Sequence, residues 1–144
     1  MGEDHPLNWV EKRHIAEKHL ADSKQDLWRD VCAAMTDASR SFNKLYGGLS
    51  EAKAINGHRF RVTVHREGKK HEAEVDFEDQ QGKITTAYNA AIEGYKHFAI
   101  KADYKSAFMV DDEGKRISSD AASFAILKPL FFPGPPNDSI VEID

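Results

Sequence analysis

The sequence predicts an α+β fold: a long N-terminal amphipathic helix packed on a four- to five-stranded antiparallel meander, with a short C-terminal helix. Three observations predict it. Leu7 to Tyr46 contains no proline or glycine and carries apolar residues at helical spacing. From His58 onward the spacing changes to alternation, punctuated by Gly68, Gly82 and Gly94. Past Ser119 a short apolar run ends at Pro129 and is followed by Pro133-Gly134-Pro135-Pro136.

In the first segment, Pro6 suits a helix start and Gly47-Gly48 a helix stop. At 100° per residue, Ala16, Leu20, Leu27, Val31, Ala34, Ala38 and Leu45 fall within about 40° of Trp9, so one stripe runs the whole length. Trp28, Met35 and Phe42 widen it in the second half, which is therefore the part expected to meet the sheet. Forty helical residues span about 60 Å, whereas five strands span about 24 Å. The helix must overshoot, meet a second chain, or break. Asp22-Ser23 is the place for a break, since Asp22 with Gln25 or Ser23 with Asp26 resembles a capping box, but the continuous stripe favours an unbroken helix.

In the sheet, a type II′ turn at Gly68-Lys69 pairs Phe60 with Phe77, Val62 with Val75 and Val64 with Ala73. The opposite face then pairs Arg61 with Asp76, Thr63 with Glu74 and His65 with Glu72, so one face is apolar and the other charge-complementary. A turn at Asp79–Gly82 continues the ladder, with Ile84 against Phe77, Thr86 against Val75 and Tyr88 against Ala73. A third hairpin is read from Gly94 to Asp111, turning at Ala102–Lys105, although Ile92, Tyr95 and Ala99 also have helical spacing. Asp111–Gly114 is a turn, and Ser119 is expected to cap a helix from Asp120 to about Lys128. Residues 1–132 read as one domain and 133–144 as a proline-rich mobile tail, with Ile140-Val141 available for an edge strand.

The composition bounds the function classes. The chain has 144 residues, 40% hydrophobic, 31% charged and 10% aromatic, an ordinary globular mix. Its net charge of −4 comes mostly from residues 119–144, where Lys128 stands alone against Asp120, Asp138, Glu142 and Asp144. That balance argues against nucleic acid as a partner. No apolar run approaches the ~20 residues of a membrane span, and the acidic start does not resemble a signal peptide. The lone Cys32 fits a reducing cytoplasm.

No motif carries an assignable chemistry. His14 and His19 lie about 140° apart on a helix, and neither HExxH nor CxxC occurs, so no metal site and no cofactor are expected. Cys32 has no neighbouring base in the sequence to make it a nucleophile. The basic stretch from His58 to His71 is neutralised by the facing Glu72, Glu74 and Asp76. The feature that stands out is the second face of the third hairpin. Tyr95, His97, Lys101, Phe108 and Val110 form a candidate ligand or partner surface there, too apolar to stand open. The C-terminal helix, a second subunit or a small ligand would each cover it. The expected function is a non-enzymatic cytoplasmic binding or assembly module, homodimeric through the overlong helix. A small-ligand pocket or weak enzyme between helix and sheet, and a nucleic-acid accessory protein, are the alternatives.

Overall fold

A computed structural model of the chain describes residues 6–89, 95–135 and 137–142, together with the backbone but not the side chain of Tyr95. The apolar stripe folds as one unbroken helix, α1, Trp9–Tyr46. Asn8 rather than Pro6 sets its start. The Asn8 side chain accepts from the Glu11 N–H, and the Glu11 carboxylate accepts from the Asn8 N–H, a reciprocal capping box. Gly47 ends the helix in the left-handed region at φ 63°. No break forms at Asp22-Ser23. Leu20 and Leu27, on either side of that point, both pack against the core, so the stripe is used without interruption.

Among the described residues, seven strands follow in a single antiparallel sheet whose spatial order is the chain order. They are β1 (Leu49–Asn56), β2 (Arg59–Arg66), β3 (Lys69–Glu78), β4 (Lys83–Tyr88), β5 (Tyr95–Ala102), β6 (Ala107–Val110) and β7 (Arg116–Ile117). Residues 95–102 are thus strand, while 90–94, including Gly94 at the expected start of the third hairpin, lie outside the described residues. The two strands beyond the expected number are the two edges. β1 is rich in Ala, Lys and Glu, which are depleted in strands, and is mostly exposed. β7 is only two residues long.

The first hairpin differs from expectation in register but not in faces. Glu67 and Gly68 both have positive φ (53° and 74°), the signature of a type I′ loop one residue earlier than the Gly68-Lys69 turn. Moving a two-residue loop by one position changes every partner by two, and a period of two preserves the faces. Phe60 therefore pairs with Val75, Val62 with Ala73 and Val64 with His71, while Arg59, Arg61, Thr63 and His65 oppose Asp76, Glu74, Glu72 and Lys70. The β3–β4 register is the expected one, with Phe77 on Ile84, Val75 on Thr86 and Ala73 on Tyr88.

The second helix, α2 (Ser119–Phe131), is capped by Ser118, whose hydroxyl accepts from the Ala121 N–H at 3.0 Å, and not by Ser119. Pro129 sits inside its last turns without ending it. Sheet side chains hold this end: the Tyr88 hydroxyl donates to the Ile126 carbonyl at 2.6 Å, and Arg66 donates to the Leu130 carbonyl. Ile140 and Val141 are exposed and form no strand.

Both helices lie on the same face of the sheet. Trp28, Val31 and Met35 of α1 join Ile126, Leu127 and Leu130 of α2 over Val62, Val75, Ile84, Phe98 and Met109 in one core. The fully buried residues of α1 all fall between Trp28 and Ser39, the expected second half. The first half instead passes the turns at one end of the meander. Lys12 lies over the Tyr104 ring at 4.8 Å and Lys24 donates to the Asp79 carbonyl at 2.9 Å; where the second half begins, the Trp28 indole donates to the Gly57 carbonyl at 3.0 Å.

Candidate functional site

The surface marked by the sequence lies on the sheet face opposite the helices. The register sets His97 opposite Thr85, Lys101 opposite Phe108, and Val110 opposite both Ala99 and Arg116. Tyr95 opens β5, and its side chain lies outside the described residues. These positions form a row and not a ring. His97 and Lys101, four residues apart on one strand, stand about 13 Å apart along it at ~3.3 Å per residue.

The expected cover, the C-terminal helix, is on the other side of the sheet. The face is tiled by its own charged side chains. The Arg116 guanidinium lies 3.7 Å above the Phe108 ring and donates to Asp103 at 3.0 Å. The Ser106 and Lys105 backbone N–H groups, with Arg116 next, hold the Asp103 carboxyl below its usual range. Val110 is only 5% exposed although it lies outside the core cluster. Farther along the same face Arg59 reaches Asp76 at 2.7 Å and Arg61 reaches Glu74 at 2.9 Å. Long side chains thus lay their stems over apolar neighbours on this face.

A concave site is found elsewhere, where α1 ends beside α2. Phe42 is its centre. Its ring stacks on Phe131 at 4.4 Å between centroids and on Tyr46 at 5.8 Å, and meets Phe132 edge-on at 5.7 Å. The chain must leave α1 directly against this ring. A Cβ on Gly48 would stand 2.1 Å from Phe42, so the position admits only glycine without rearrangement. Between the helices lies a groove of about 310 Å³, with Ala38, Leu45, Phe124 and Leu127 among its walls. Leu45 is 71% exposed, Tyr46 65% and Phe132 40%. Ser41, Asp120, Lys128 and Glu142 supply polar lining. Lys128 forms an ion pair with Glu142, and its ammonium lies 5.6 Å from the centre of the Phe124 ring.

Sequence reasoning missed this groove, although the signal was present. Two large apolar doublets, Leu45-Tyr46 before Gly47 and Phe131-Phe132 before Pro133, each close a helix. Both helices return to one place, and that follows only from α2 choosing the same sheet face as α1.

Nucleophilic chemistry finds little support among the described residues. Cys32 sits partly buried against the core, and burial pushes its thiol up to about 12, far from a thiolate at neutral pH. Burial also raises the Tyr88 hydroxyl, which already donates to Ile126. No group of three or more His, Cys, Asp or Glu side chains is placed to hold a metal ion among the described residues. No described helix is long and apolar enough to cross a membrane. Comparison of the chain with family models, with curated proteins and with solved structures returns no match.

Proposed function

We propose that the chain is a non-enzymatic binding module whose working surface is the aromatic groove between the C-terminal end of α1 and α2. One observation carries the reading. Large apolar side chains stand exposed around a concave site of about 310 Å³, while the core beside it is closed, with Met35, Ile126 and Leu130 at 0% exposure. That volume is at the lower end of small-molecule sites, which run from about 300 to 1,000 Å³. The charged sheet face is a poorer candidate, because its arginines are engaged by carboxylates of the neighbouring strand.

Titration with decanol, followed by backbone amide shifts, tests the groove. Perturbations are expected at residues 38–46 and 123–132, and Ser41→Trp, which fills the mouth, is expected to abolish them. Shifts scattered over the sheet, or none at saturating decanol, would remove the reading.

A second reading, self-association, is favoured by the start of α1. Trp9 is 79% exposed and Val10 54%. Their flanks carry both signs, Glu11, Glu17 and Asp22 against Lys12, Arg13 and Lys18, which suits a two-fold contact between copies. Sedimentation over a micromolar range tests it. A concentration-dependent dimer weakened by Trp9→Ala is expected, and a strict monomer throughout rules it out.

A further inference from the structure

We infer that the groove takes a small amphiphilic carboxylate, its apolar body among the aromatic rings and its head group on Lys128 in place of Glu142. The inference rests on reading the groove as a binding site and adds the chemistry of the ligand. Lys128 lines the groove and lies over Phe124, so a cation stands at the border between apolar wall and water. The carboxylate it already holds comes from the C-terminal stretch, well beyond the end of α2. Neighbouring Ile140 and Val141 are 57% and 82% exposed, so apolar packing does not bring that stretch back. Its return is held by the Glu142 carboxylate.

Glu142 thus occupies the position that the head group of an amphiphile would take. Exchanging one carboxylate for another leaves the charge of the site unchanged. The Lys128–Glu142 pair is only partly shielded, with side chains 26% and 30% exposed, and pairs of this kind contribute little net stability. The apolar contact of the ligand body is then the gain that drives exchange. A neutral amphiphile makes the same apolar contact without the head-group bond. Asp120, on the same lining, disfavours an anion placed away from Lys128 and so fixes where the head must go. The cavity equals about ten water volumes at ~30 Å³ each, which matches a body of roughly ten heavy atoms.

Decanoate and decanol, titrated calorimetrically below their aggregation concentrations into the full chain, separate the two claims. Decanoate is expected to bind more tightly than decanol. Glu142→Gln is expected to tighten decanoate by up to about five-fold, the weight of one partly exposed ion pair, and to leave decanol unchanged. Lys128→Met should erase the preference and Lys128→Arg should keep it, with thermal unfolding confirming that each variant is folded. Equal binding of the two probes, or indifference of decanoate to Glu142→Gln, overturns the carboxylate assignment and leaves an apolar groove. If neither probe binds, the groove reading itself fails.

Discussion

Val31 and Trp9 lie on the same stripe of the same helix, yet Val31 is fully buried and Trp9 stands almost free. The two halves of α1 differ in what lies beneath them, not in how they are patterned. Under the second half are the sheet and α2, and the helix is closed from Trp28 to Ser39, although the stripe opens again at Leu45. Under the first half lie mainly turns, and apart from Leu20, which reaches the core, the contacts are made by polar tips: Lys24 on Asp79 and Lys12 on Tyr104. Seven strands across span about 34 Å at ~4.8 Å per strand, still well short of a helix of about 57 Å at ~1.5 Å per residue. Amphipathic patterning says which side of a helix can be covered, whereas the extent of the partner layer decides how much of it is.

Mutations in the two halves test that contrast directly. Met35→Ala, at a fully buried site, should cost about 2–5 kcal/mol in urea unfolding, and a loss below about 1 kcal/mol would show that the Trp28–Ser39 stretch is not closed as described. The Cys32 thiol belongs to the same half and gives a pH dependence. Its folded pKa of about 12 lies above the ordinary 9.0, so the unfolded chain releases its proton first and stability falls as pH rises through that window. Cys32→Ala should flatten the alkaline limb of the stability profile; an unchanged limb would mean that the thiol is in water. In the first half, Asn8→Ala removes half of a capping box and should cost about 1 kcal/mol, seen as faster amide exchange confined to the first turns of α1. Exchange accelerating across Trp28–Ser39 as well would mean that the halves unfold together. Trp9→Ala should move the unfolding free energy of dilute protein by no more than about 0.5 kcal/mol. A larger loss would place Trp9 in a contact within the chain.

Legibility in the sequence followed the range of the interactions. Face assignments survived because alternation is local: Phe60, Val62 and Val64 point to the core under either register of the first hairpin. The register itself turned on whether Glu67, a residue not prone to positive φ, would enter the loop beside Gly68, and composition does not reveal that. The edges were missed because they have little to bury. β1 shows Leu49, Glu51, Lys53 and Ile55 to solvent and sets only small residues, Ser50, Ala52 and Ala54, on the helix side. The groove was hidden for a different reason. Phe42 and Phe131 are far apart in sequence, and either could have served an ordinary core. Only the placement of α2 on the occupied face of the sheet, anchored through Tyr88 and Arg66, stacks them.

The junction between α1 and β1 has one more consequence. The Asn43 side chain accepts from the Ser50 N–H at 2.8 Å and donates to the Ser50 carbonyl at 2.9 Å. A carboxamide so placed offers the donor and acceptor that a neighbouring strand would offer at that point. The helix thereby supplies a one-residue surrogate for an eighth strand and occupies the outer hydrogen-bonding groups at the start of the edge. Farther along, Lys53 places a charge on the strand, and the irregularity between Ala54 and Asn56 bends its end. The opposite border is a strand of two residues, too short to template another. A meander made from successive hairpins has no intrinsic last strand, and these devices give this one a defined width by leaving few border groups for another sheet to pair with.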